Sequence, residues 1–148
     1  MMSCLIFGII LIPVPEISDK VVNMQKALYI VSWVFAVLLA VLFVLAGAGK
    51  LGGGATEMFA KWGYPAWFAI FIGVAEVAGA IGLLIPKLTR LAILGLTLVM
   101  IGAAYTHVAA GEGLAVFRPI VFTVFLWLVW FLRGSSSAAE SAPQASAE

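Results

Sequence analysis

The chain has 148 residues, of which 64% are hydrophobic and only 10% charged, and its formal net charge is +1. A soluble domain carries about half apolar and about a quarter charged residues, so this is an integral membrane protein with room for one domain, and it lacks the basic footprint of a nucleic-acid binder. With Cys4 the single cysteine and His107 the single histidine, an intrachain disulfide and a dithiol centre are excluded. The same counts argue against a structural zinc or iron–sulfur site, so no metal is expected and no cofactor is held covalently.

Residues 4–12, CLIFGIILI, are apolar but too short to span, and Pro13 and Pro15 end any helix there. No Lys or Arg precedes the run and no small-residue cleavage pattern follows it, so it makes a poor signal peptide. Two readings of residues 1–23 stand: an extension lying at the interface, or a translation start placed too early, with Met24 in MQKALYIVSW as the natural first residue. Residues 24–133 form the membrane domain.

The first span is predicted over about 27–48, with Tyr29 and Trp33 at interface depth. It ends in AGAGKLGGG. A phosphate loop is excluded because Val44 and Leu51 stand where that pattern needs Gly and Ser or Thr. Lys50 shares a helical face with Ser32, Ala36, Leu39, Phe43, Ala46 and Gly47, which makes it a candidate interior residue. The connection GGGATEMFAKWGYP then reads as a short amphipathic turn on the membrane surface.

The second span, 66–85, is apolar or Gly throughout except for Glu76, near the middle of the ~20 residues needed to cross a bilayer core. A carboxylate at that depth needs a protein interior, a partner or water. Its face carries Ala69, Ile72, Gly73, Gly79, Ala80 and Leu83, mostly small residues that let helices approach closely, so Glu76 is predicted to point into a bundle. IPKLTR leads to the third span, 91–110, where His107 shares a face with Ala92, Leu96, Met100 and Ala103. The fourth span, 114–132, is interrupted early by Arg118 and Pro119, with Pro119 fitting a first helical turn. Residues 134–148 read as a disordered tail.

These elements predict an all-α fold, a transmembrane four-helix bundle with short connections. Lys20, Lys26, Lys87, Arg90 and Arg133 fall on one side, against Lys50, Lys61 and Arg118 on the other, so both termini are expected in the cytoplasm. In that topology Lys50, His107 and Arg118 lie at the outer helix ends with Glu76 below them, a candidate polar pocket open to the outer leaflet. The ordinary reading is that Lys50 and Arg118 snorkel to the interface while His107 bonds across helices. Ten residues of helix separate Glu76 from the outer end by roughly 15 Å, so a direct pair with Arg118 requires tilt, reach or water.

The chain resembles the DoxX and DoxX-like family of small four-helix membrane proteins over about residues 35–133. The resemblance rests on AGAGKL at 46–51, MFAKWGYP at 58–65, GVAEVAGAIGLLIPKLTRLA at 73–92 and His107 late in the third helix. It implies a four-helix bundle, in a family that includes a small subunit of a thiosulfate:quinone oxidoreductase, with positions matching Lys50, Glu76 and His107 recurring. The expectation that follows is an accessory subunit in a bacterial cytoplasmic membrane, embedded in the lipid bilayer, with a soluble or membrane redox partner, a quinone-like or lipid ligand, and self-association into a homo-oligomer left open. The alternative is a stand-alone enzyme on a small or isoprenoid substrate, with His107 and Glu76 as acid and base. A transporter ranks last, because one four-helix unit shows no inverted repeat. No residue is assigned as catalytic.

Overall fold

A computed structural model of the chain describes residues 15–140, with side chains described for residues 20–133. Cys4, the apolar run at 4–12 and the tail from 141 lie outside the described residues. The described chain forms α1 (Pro15–Leu51), α2 (Thr56–Lys61), α3 (Ala66–Leu84), α4 (Thr89–Ala109) and α5 (Phe117–Glu140), with no strand among these residues. Three of the helices, α1, α3 and α4, are long and apolar enough to cross a membrane. Contacts run from α1 to α3, α3 to α4, α4 to α5 and back from α5 to α1. The four long helices therefore close into a ring, with α1 diagonal to α4 and α3 diagonal to α5. The all-α membrane bundle predicted from the sequence is the fold observed.

In lipid the chain gains nothing by hiding one apolar helix face behind another, so close packing must hold the ring together. The core is built from Leu39, Phe43, Leu83, Ile93, Leu96, Leu126 and Val129, while Val34, Leu45, Leu91, Leu98 and Phe131 face outward. Two seams of small residues bring backbones together. A Cβ on Gly47 would sit 2.7 Å from the Gly73 carbonyl oxygen, and one on Gly73 would sit 2.9 Å from that of Gly47, so α1 and α3 touch backbone to backbone. On the other side of α3, Gly79 receives the Leu96 side chain and Gly82 the Ala92 methyl. The face assigned to Lys50 is buried at Ser32, Ala36, Leu39, Phe43 and Gly47; Ala46 lies off it and is exposed.

The first helix is much longer than the predicted 27–48. At 37 residues it extends about 55 Å, against about 28 Å for the 19 residues of α3. It starts at Pro15, where the missing N–H removes a donor that has no helical partner in any case, and it runs unbroken past position 24. Its first turns, PEISDKVVNMQK, are too polar for a hydropathy reading to include. At the other end α5 begins at Phe117 rather than 114, with Pro119 in its first turn, and continues to Glu140 through residues read from the sequence as tail.

Candidate functional site

The Gly47–Gly73 contact sets the geometry of an ion pair between Lys50 and the buried Glu76. Lys50 and Glu76 each lie three residues beyond a contact glycine, on antiparallel helices. Because side chains tilt toward the start of their own helix, Lys50 leans back along α1 and Glu76 back along α3, each toward the other. Lys50 Nζ donates to Glu76 Oε2 at 2.6 Å, and the Glu76 side chain is only 4% exposed. Glu76 thus has its cation on the neighbouring helix.

Two glycine-terminated helix ends build the rest of the site. At the end of α4, Gly111 takes a φ of 73°; its N–H reaches the Val108 carbonyl at 3.1 Å and that of Glu112 reaches the His107 carbonyl at 2.9 Å. This is the left-handed glycine stop that closes a helix, and it folds residue 112 back onto residue 107. The result is a second pair, His107 Nδ1 to Glu112 Oε2 at 2.7 Å. The end of α2 repeats the device. Gly63, with φ 82°, bonds to the Ala60 carbonyl and Tyr64 to that of Phe59, while the rings of Phe59 and Tyr64 lie 6.0 Å apart. Tyr64 is thereby aimed at α4, where its hydroxyl donates to Thr106 Oγ1 at 3.0 Å while Thr106 donates to the Gly102 carbonyl. Trp62 Nε1 donates to Glu112 Oε1 at 3.2 Å, and its ring meets His107 edge-on at 5.2 Å. The His107 hydrogen bond, followed by that from Trp62, holds the exposed Glu112 carboxyl below its ordinary pKa.

These groups frame a cavity of about 540 Å³ between α3 and α4, roofed by α2. Lys50 and Glu76 line it from α1 and α3, and Trp62 and His107 from the α2 end and the last turn of α4. The walls are largely aromatic and aliphatic, with Phe59, Tyr64 and Phe68 forming a cluster of rings that Ile72 joins, and Val99 contributed by α4. On the lipid side the wall is thin. Gly95 and Gly102 also line the cavity, and the space where a Cβ would stand on either is empty.

Of the four residues the sequence singles out, Lys50, Glu76 and His107 line this one cavity, and Arg118 does not. Arg118 is exposed in the first turn of α5, the helix diagonal to α3, so neither tilt nor reach brings it to Glu76. Nor do His107 and Glu76 pair with each other, since His107 bonds to Glu112 and Glu76 to Lys50. Sequence reasoning misses Trp62, Tyr64, Thr106 and Glu112. Their signal is faint but present: in both WGY and AGE a glycine follows a helical run, and the residue after the glycine becomes a site residue.

Fold and site together define a small helical membrane protein with a largely apolar cavity that carries a Lys–Glu ion pair in its wall. Within that class the chain belongs to the DoxX-like family, whose model matches residues 34–129, from α1 to α5 and across the whole cavity. No match was found among curated proteins or solved structures.

Proposed function

We propose that this DoxX-like protein is a ligand-binding accessory subunit of a membrane redox system, and that its cavity holds a quinone-like molecule or a lipid of similar shape. The observation that carries the reading is the cavity itself: about 540 Å³, walled by aromatic and aliphatic side chains, thin toward lipid at Gly95 and Gly102, with Lys50 and Glu76 in its wall. Small-molecule sites are mostly apolar, with a few convergent polar groups to fix orientation. A planar carbonyl-bearing ring suits the space beside Phe59, Tyr64 and Phe68, with a carbonyl oxygen accepting from Lys50 and an apolar tail leaving between α3 and α4. A partner that supplies electrons follows from the family resemblance alone.

The test is photolabelling of the full-length protein in bilayer nanodiscs with a photoreactive quinone analogue, competed by free quinone. Labelling at Tyr64, Phe68 or Val99 that free quinone suppresses and Lys50→Met abolishes is the expected result. Labelling confined to Phe125 and Trp127 on the outside of α5, unchanged by Lys50→Met, would leave no ligand role for the cavity.

The proposed orientation has both termini in the cytoplasm, from the excess of Lys and Arg at the α3–α4 turn end. A cysteine replacing the exposed Glu57 in a Cys4→Ser background should react with a membrane-impermeant reagent from outside only. Labelling from the cytoplasmic face alone would reverse the assignment.

A further inference from the structure

At the opposite end of the bundle lies a larger cavity, about 880 Å³, walled by α1 from Val22 to Trp33, the α3–α4 turn, the start of α4, and Trp130 and Arg133 of α5. It exists because α1 runs on past the α3–α4 turn: the projecting turns of α1 supply one wall, and the turn with the start of α4 supplies the floor. Lys26, Lys87, Arg90 and Arg133 line it, and no Asp or Glu does among the described residues. The arginines are set in place by aromatic faces and backbone. The Arg133 guanidinium lies 4.7 Å from the Trp33 ring centre and donates to the Leu83 carbonyl at 3.1 Å and to Thr89 Oγ1. Arg90 lies 5.6 Å from the ring centre of Trp130. Lys26, Lys87 and Arg90 are exposed at the rim.

We infer that this cavity binds the phosphate group of an anionic phospholipid. The exposed Lys26, Lys87 and Arg90, clustered with no lining carboxylate among the described residues, call for an anion, and a planar guanidinium beside flexible ammonium groups suits phosphate oxygens. The walls select a lipid over a free anion. Val22, Ile30 and Ile93 make part of the lining apolar, and on α1 the exposed Ile30 is followed one turn deeper by the exposed Val34, a track along which an acyl chain lies. Tyr29, Trp33 and Trp130 ring the cavity with the residues that settle at headgroup depth. Basic pockets between helix ends are a recurrent form of anionic headgroup site. The inference needs neither the proposed redox role nor a ligand in the other cavity.

The experiment is native mass spectrometry of the full-length protein from a neutral detergent, titrated in turn with phosphatidylglycerol, phosphatidylcholine of the same acyl chains, and inorganic phosphate. Phosphatidylglycerol should be retained at least about tenfold more tightly than phosphatidylcholine. Lys26→Gln and Lys87→Gln should each weaken it about fivefold, and the triple variant with Arg90→Gln about a hundredfold, from the usual contribution of one cation near an anionic surface. The lysines are exposed, so the single variants should melt as the parent does in lipid-free detergent and decide the matter even if the triple variant is unstable. Equal retention of the two lipids would overturn the inference. So would displacement of phosphatidylglycerol by equimolar inorganic phosphate, which would mark a site for a soluble anion. An equal loss in Lys61→Gln/Arg118→Gln, at the far end of the bundle, would reduce the effect to general charge and overturn it as well.

Discussion

The two ends of the bundle use charge in opposite ways. At the α2 end each ionisable side chain that lines the cavity has a partner: Lys50 with Glu76, and His107 with Glu112. At the α3–α4 turn end the two lining arginines are seated on tryptophans while Lys26 and Lys87 stand exposed, with no lining acid among the described residues. The difference teaches that a polar group in a membrane protein is informative through its neighbours. A paired end holds its polar groups to one another, suited to orienting an uncharged polar molecule. An end with excess cations keeps its field for a ligand that brings the counter-charge.

The sharpest way to break the paired end is Glu76→Lys, which sets two cations side by side next to the Gly47–Gly73 contact. We expect the variant to fail to accumulate in the membrane, and the exchange Lys50→Glu/Glu76→Lys to restore part of the level on an immunoblot. Accumulation of the single variant at the parent level would show that the pair is not enclosed. Next comes Lys50→Met, which leaves the Glu76 carboxylate without its cation. Breaking a buried pair from one side costs about 3–5 kcal/mol, toward the low end here because Lys50 is partly exposed. Melting in detergent should show a large drop for Lys50→Met and a small one for Arg118→Met. Equal drops would erase the distinction drawn between these residues.

Tyr64→Phe removes one neutral hydrogen bond to Thr106 and should lower stability by roughly 1 kcal/mol. Thermal melts of the single variants and of Tyr64→Phe/Thr106→Val should show that the second change adds little to the first. The smallest effect concerns Glu112. Its carboxyl is held below the ordinary value, so the stability it contributes is present above the unfolded-state pKa and is lost as pH falls through the lower folded-state value. The difference in melting temperature between parent and Glu112→Gln should therefore be visible at neutral pH and vanish in strong acid. A difference constant with pH would mean that charge plays no part in the contact with His107 and Trp62.

The reach of sequence reasoning follows the range of the physics involved. Helical periodicity is local, and it is enough to put Lys50, Glu76 and His107 on interior faces, because small residues beside a polar one mark where helices meet. Ring order is not local. Nothing near Arg118 reveals that α5 lies diagonal to α3, and that arrangement alone keeps Arg118 from the cavity. Glu112 and Tyr64 depend on a glycine in the left-handed region at one position, a turn geometry that the residue pattern permits without requiring. The overhang of α1 escapes a reading based on hydropathy because its first turns are helical without being apolar.

The Gly47–Gly73 contact also bears on how the chain enters the bilayer. On its own, α3 would bring a carboxylate to mid-membrane, where insertion is opposed by about 3 kcal/mol. The ammonium that answers it lies on α1, which leaves the ribosome first, and only the glycine-rich stretch and α2 separate the two helices. Biosynthesis thus delivers the counter-ion before the acid, and the bare backbones at positions 47 and 73 let the two helices close as a hairpin with the charge already matched. Bulk at either glycine would then show up as an insertion defect during translation, before any mature protein could lose stability.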